Sequence, residues 1–134
     1  KLLKYREFRE REAEINLGRA NAARDAIQIE LDDIARKRVR SGADRRLSLS
    51  VPELLAIEHY ITRLDTTRDV LLERLVMANL EVEKAREQYI RSTRDRRVLT
   101  KLREKKNDEW KKYVSEEEAA VLDDTTNFRG REEL

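Results

Sequence analysis

Apolar residues recur along the second half of the chain in alternating steps of three and four. The series reads Leu54, Ile57, Ile61, Leu64, Arg68, Leu71, Leu75, Ala78, Val82, Ala85, Tyr89, Ser92, Arg96, Leu99, Arg103, Lys106, Trp110, Tyr113, Glu117, Ala120. This is the spacing of a coiled-coil seam. Arg68 is its one polar intrusion before Tyr89; Ser92, Arg96, Arg103, Lys106 and Glu117 follow. The seam is thus sound to about residue 89 and degraded beyond it. Residues 53–129 contain no glycine or proline. The pattern therefore predicts one helix of roughly 70 residues, roughly 105 Å long. A helix of that length needs a partner along its side, because isolated helices are marginal in water.

The first part of the chain carries the same repeat in Ala13, Leu17, Ala20, Arg24, Ile27, Leu31, Ile34 and Arg38, with Ile15, Ala22 and Ile29 widening the stripe. It predicts a helix over about residues 2–40. Gly18 inside it costs about 1 kcal/mol relative to alanine. Asp32/Arg36 and Asp33/Lys37 are spaced for ion pairs one turn apart. Ser41-Gly42 reads as a helix stop. Ser50-Val51-Pro52-Glu53 reads as a helix start, with Ser50 as cap, Pro52 in the first turn and Glu53 completing a capping box. The predicted organisation is a single coiled-coil hairpin over residues 1–134. It has a connector at 41–49, a second helix over about 51–123, fraying at Asp123, Asp124, Thr125 and Thr126, and a tail at 124–134.

A short connector favours antiparallel packing of the two helices. A fold near residue 46 sets Ile34 against Ile57, Leu31 against Ile61, Ala13 against Ala78 and Leu3 against Tyr89. It also sets Arg24 against Arg68, a polar seam layer that would fix register at a cost in stability. Asp25, Asp65 or Asp69 could compensate the two like charges. Residue 1 then lies opposite about residue 91, and the rest of the long helix overhangs its partner. The chain begins at Lys1 rather than methionine, which predicts a natural start upstream.

Composition narrows the function. The 134-residue chain is 43% charged with 5% aromatics, against about 25% charged in ordinary globular chains. That suits solvated helices rather than a sheet-based domain: an all-α fold with burial confined to the seam. Net charge is +2, so no global field favours nucleic acid or a membrane. Cysteine is absent, which removes disulfides and thiolate chemistry. No apolar run approaches the about 18 residues of a membrane span, and no signal peptide is visible. There is no phosphate loop, nucleophile elbow or zinc spacing. The single histidine, His59, falls between seam positions and faces outward. Carboxylates on a solvated rod stay near their ordinary pKa values. An enzyme is not expected, nor any catalytic residue, cofactor or metal.

The near-neutral total hides a local asymmetry. Residues 91–112 hold ten basic and four acidic side chains, a net +6. Glu116, Glu117, Glu118, Asp123 and Asp124 follow with no base among them. Leu102, Trp110, Tyr113, Val114, Val121 and Leu122 lie on the same overhang. Large apolar residues without a partner, interleaved with arginine and lysine, mark an interaction surface. The candidate partner-binding residues are Arg96, Arg97, Leu99, Leu102, Arg103, Lys106, Trp110 and Tyr113. The plainer reading is a solvated helix face.

Residues 1–13 (KLLKYREFREREA), 102–113 (LREKKNDEWKKY), Glu116–Glu118 and Leu122-Asp123-Asp124 together resemble the FliJ family of flagellar type III export proteins. The resemblance runs over nearly the whole chain; the Arg24/Arg68 layer is not part of it. It implies a central-stalk protein of the export apparatus, with an antiparallel coiled coil similar to the gamma subunit of rotary ATPases. The implied partners are the hexameric flagellar export ATPase, the cytoplasmic region of the export gate and the export chaperones. The implied place is the cytoplasmic face of the flagellar basal body, without direct membrane insertion. The competing readings are a virulence-type secretion stalk, a prefoldin-like or structural rod, and a nucleic-acid-binding arm. The last predicts binding that falls steeply with salt, and the acidic run beside the basic one argues against it.

Overall fold

The computed structural model describes residues 1–47 and 50–133, with side chains to residue 130. It is all-α: two long helices, α1 (Leu2–Leu47) and α2 (Val51–Glu133), pack side by side as an antiparallel hairpin. At 1.5 Å per residue they run roughly 70 and roughly 125 Å. Burial follows the three-four repeat and little else. Ala13, Leu31 and Ile34 of α1 are buried, as are Leu64, Leu71 and Val82 of α2. Leu31, Ile34, Leu64 and Leu71 form one cluster, with Ile27, Tyr60 and Leu75 packed against it. The seam positions from Leu54 to Leu99 are all at least partly covered.

Three features differ from the sequence expectation. First, α1 does not stop at Ser41-Gly42. Gly42 has no positive φ, and the helix runs on to Leu47. Ser41 is the next seam position after Ile34 and Arg38, and it is buried; a stop there would forfeit that layer. One turn further, Arg45 reaches Glu58 at 2.8 Å. Of the predicted connector, residues 41–47 are helical, and Ser48 and Leu49 lie outside the described residues. Second, α2 does not fray at residues 123–126 but continues to Glu133. Asp and Thr cost only a few tenths of a kcal/mol each in a helix interior, and no proline follows to force a stop. Leu134, the last residue of the predicted tail, also lies outside the described residues. Third, Ile15 and Ile29 are 50% and 65% exposed and do not widen the seam; they sit on the opposite face of α1.

The start of α2 carries the predicted Ser50 cap. The Glu53 amide donates to the Ser50 hydroxyl oxygen at 3.2 Å, and the Leu54 amide to the Ser50 carbonyl at 3.1 Å. These bonds satisfy donors that a helix start otherwise leaves open.

The longer α1 moves the register. Cross-helix ion pairs among the described residues define it: Arg45–Glu58 at 2.8 Å, Arg38–Asp65 at 2.7 Å, Arg6–Asp95 at 3.3 Å and Glu10–Arg96 at 2.7 Å. With these pairs in place, Leu31 stands opposite Leu71, Ile27 opposite Leu75, Ala20 opposite Val82 and Leu3 opposite Leu99. Relative to one another, the helices have slid about ten residues from the register expected for a fold near residue 46, or about 15 Å. Arg24 and Arg68 therefore do not face each other. Arg24 lies opposite Ala78 and bonds its neighbour Asp25 at 3.3 Å. Arg68 lies opposite Ile34 and reaches Asp65 at 3.5 Å and Asp69 at 3.3 Å. The expected compensating carboxylates are used, but in two separate layers.

Candidate partner-binding surface

The register sets where the overhang begins. Residue 1 lies opposite about residue 100 rather than residue 91, so pairing within the chain reaches about two turns further. Exposure changes at the same place. Leu99 and Thr100 are half-buried; from Lys101 to Gly130 every residue is exposed except the half-buried Val114. The single-stranded part of α2 is roughly 50 Å long.

This boundary divides the predicted contact residues. Arg96 is committed to the hairpin. Its guanidinium Nε donates to Glu10 at 2.7 Å in the least exposed ion pair of the described residues. The bond to the Glu10 carboxylate pushes Arg96 further toward its charged form. Leu99 closes the seam. Arg97 is exposed beside Tyr89, Ile90 and Lys101, on the flank of the hairpin end. Leu102, Arg103, Lys106, Trp110 and Tyr113 all lie on the free overhang and are exposed.

Helical spacing brings Trp110 and Tyr113 together. Three residues apart, they sit on one face, with ring centroids 5.8 Å apart and planes at 28°. They are 63% and 54% exposed. One turn on, Tyr113, Val114, Val121 and Leu122 form a shallow apolar strip edged by Glu117 and Glu118. Among the described residues no ion pair engages positions 101–124 in this structure, whereas cross-helix pairs brace the hairpin. At the far end of the hairpin, Arg38 and Asp65 share two hydrogen bonds, of 2.7 and 3.3 Å. The bond to Arg38 holds the Asp65 carboxyl below its ordinary pKa. Asp33 is lowered likewise by Lys37 at 3.0 Å. Asp32 does not pair with Arg36 as its spacing suggests. It accepts from Gln28 at 3.1 Å, and Arg36 turns to Asp33 at 3.8 Å.

One exposed apolar group escaped the sequence reading, and a second was assigned to the seam. Leu72, Val76, Met77 and Leu80 lie on α2 at 44–61% exposure. Phe8, Ile15 and Ile29 lie at multiples of seven on the outward face of α1. Both sit between seam positions, so a search confined to the seam passes over the first, and the seven-residue repeat of Ile15 and Ile29 does not by itself say which face it occupies.

A long helical hairpin with one helix projecting beyond the other defines a class: two-helix coiled-coil rods. The family model described as Flagellar FliJ protein matches residues 1–133. The chain belongs to the FliJ family, and with it to the coiled-coil proteins of flagellar export. No curated protein and no solved structure matches the chain. Among the described residues no helix is long and apolar enough to cross a membrane.

Proposed function

We propose that this chain is the stalk of the flagellar export apparatus, and that its overhang is the part that engages the hexameric export ATPase. The hairpin is a stiff, narrow rod, and the overhang enters the ATPase pore and stimulates turnover. Leu102, Arg103, Lys106, Trp110 and Tyr113 make the contact, with Arg97 at its base; Arg96 and Leu99 act only by holding the hairpin end closed. The remainder of the rod reaches the cytoplasmic region of the export gate and the export chaperones, at the cytoplasmic face of the basal body. The observation that carries this reading is the stacked, solvent-exposed Trp110–Tyr113 pair on a helix that lacks a partner beyond about residue 100. Aromatic anchors amid basic residues are what interface cores use.

The test is ATPase stimulation by the full chain carrying Trp110→Ala and Tyr113→Ala. We expect stimulation to fall at least tenfold, the effect of losing about 1.4 kcal/mol of binding at sub-saturating stalk. The helical content and melting of the hairpin stay as in the parent. Unchanged stimulation by the folded variant would remove the overhang from the ATPase contact.

A further inference from the structure

The overhang is self-complementary. Residues 101–112 hold six basic and three acidic side chains, a net +3; residues 113–124 hold five acidic side chains and no basic one. One helix therefore presents a positive half followed at once by a negative half, with the aromatic pair at the boundary. A second copy laid antiparallel on it sets positive against negative at both ends. A parallel copy sets like against like throughout.

We propose that residues 101–122 of the overhang pair with the same residues of a second copy of this chain, antiparallel, about a two-fold axis between Lys111 and Lys112. The end of each α2 beyond residue 122 turns aside from the seam that α1 of the other copy fills. The register follows from the hairpin itself. There, Leu31 against Leu71 and Ile27 against Leu75 show the rule by which the two three-four repeats mesh when antiparallel. Applied to the overhang, the rule sets Trp110 of one copy opposite Tyr113 of the other, twice, at the axis. Lys106 then meets Glu117 and Arg103 meets Ala120, while Lys105 and Glu118 lie on the outer side and add only to the charge of their halves. The four rings gather in the centre, where a contact gains most from excluding water, and the ion pairs fall at the rim. A slide by one heptad would set Tyr113 against Glu117 and part the aromatics. Val114 and Val121 of the exposed strip flank this pairing, Leu122 lies on its outer side, and no ion pair within the described residues competes for the charges at positions 101–124.

This inference goes beyond the stalk reading and does not rest on it. The face is the same one proposed for the ATPase, so the two contacts exclude each other, and self-pairing would keep the apolar stripe covered until a ring displaces the second copy.

The experiment is sedimentation equilibrium of the full chain over the micromolar range, with three further samples: Lys105→Glu/Lys106→Glu, Glu117→Lys/Glu118→Lys, and their equimolar mixture. The parent associates as a reversible dimer that weakens with added salt, since rim pairs are screened. Each variant alone turns the two Lys106–Glu117 contacts repulsive, gives facing halves the same sign, and dissociates at least about tenfold more readily. The mixture restores the dimer, because each variant then offers the other opposite charges at both ends. In a parallel dimer neither reversal would matter, because like charges already face each other there. A parent that stays monomeric, variants that dimerise as the parent does, or a mixture that stays monomeric would each overturn the proposal. Helical content measured on every sample separates loss of pairing from loss of fold.

Discussion

At the residue scale, burial rather than hydrophobicity decides which positions hold the rod together. Leu71 and Ile29 are both large aliphatic residues on a helix. Leu71 is 3% exposed within the central cluster, and Ile29 is 65% exposed on the outer face. Truncating a buried leucine loses its transfer free energy and leaves a cavity between two helices that can close only partly. Leu71→Ala is therefore expected to cost about 2–4 kcal/mol. Ile29→Ala is expected to change stability by about 0.5 kcal/mol at most, as surface substitutions do. Urea denaturation followed by circular dichroism would measure both. Similar losses at the two sites would mean that the outer face of α1 is covered as well. The seam itself was legible in the sequence. Each α2 position from Leu54 to Leu99 named by its spacing is at least partly covered, and His59 between them is exposed. Ile15, Ala22 and Ile29 were misplaced because a seven-residue apolar repeat looks the same on either face of a helix; only the partner shows which one is buried.

At the element scale, the sequence announces two antiparallel helices but leaves their register open. Both seams are built on one repeat, so sliding one helix by a few turns still brings seam against seam. What chooses among the slides is the length of the turn and the ion pairs along the flanks. The turn was misread at Gly42. Glycine is permitted in the left-handed conformation that ends helices but not bound to it, and here the buried Ser41 before it keeps the helix going. The apparent match of Arg24 with Arg68 is a coincidence of periodicity; Arg24 pairs with Asp25 and Arg68 with Asp69. The chain has no cysteine, so register can be read by engineered disulfides without interference. Leu3→Cys with Leu99→Cys should cross-link readily under mild oxidation, because residues opposite each other in a seam approach within disulfide reach. Leu3→Cys with Tyr89→Cys should not, since their separation along the bundle is about 15 Å. The reverse result would restore the shorter hairpin and its Arg24/Arg68 layer.

At the scale of the whole molecule, the shift in register redraws the border between rod and contact surface. It leaves Arg96 and Leu99 on the rod side and moves the start of the free helix to about residue 101. Beyond that border α2 has no lateral partner in its own chain, and a helix standing alone owes its stability to propensity and local ion pairs, which are worth tenths of a kcal/mol each. The two parts should therefore melt separately. Removing residues 102–134 leaves the cross-helix ion pairs and the buried residues of the described hairpin in place. The midpoint of the cooperative transition should move by only a few degrees, whereas helical signal at low temperature should fall by about the quarter of the chain removed, within the precision of counting helical residues. Thermal scans of the full and shortened chains at several concentrations would check this. In the full chain, the overhang's signal should decay at lower temperature than the hairpin's in dilute solution and approach it as concentration rises, because self-pairing stabilises by mass action. A single cooperative transition that loses many degrees on truncation, independent of concentration, would show that the overhang braces the hairpin and is not a surface kept for other molecules.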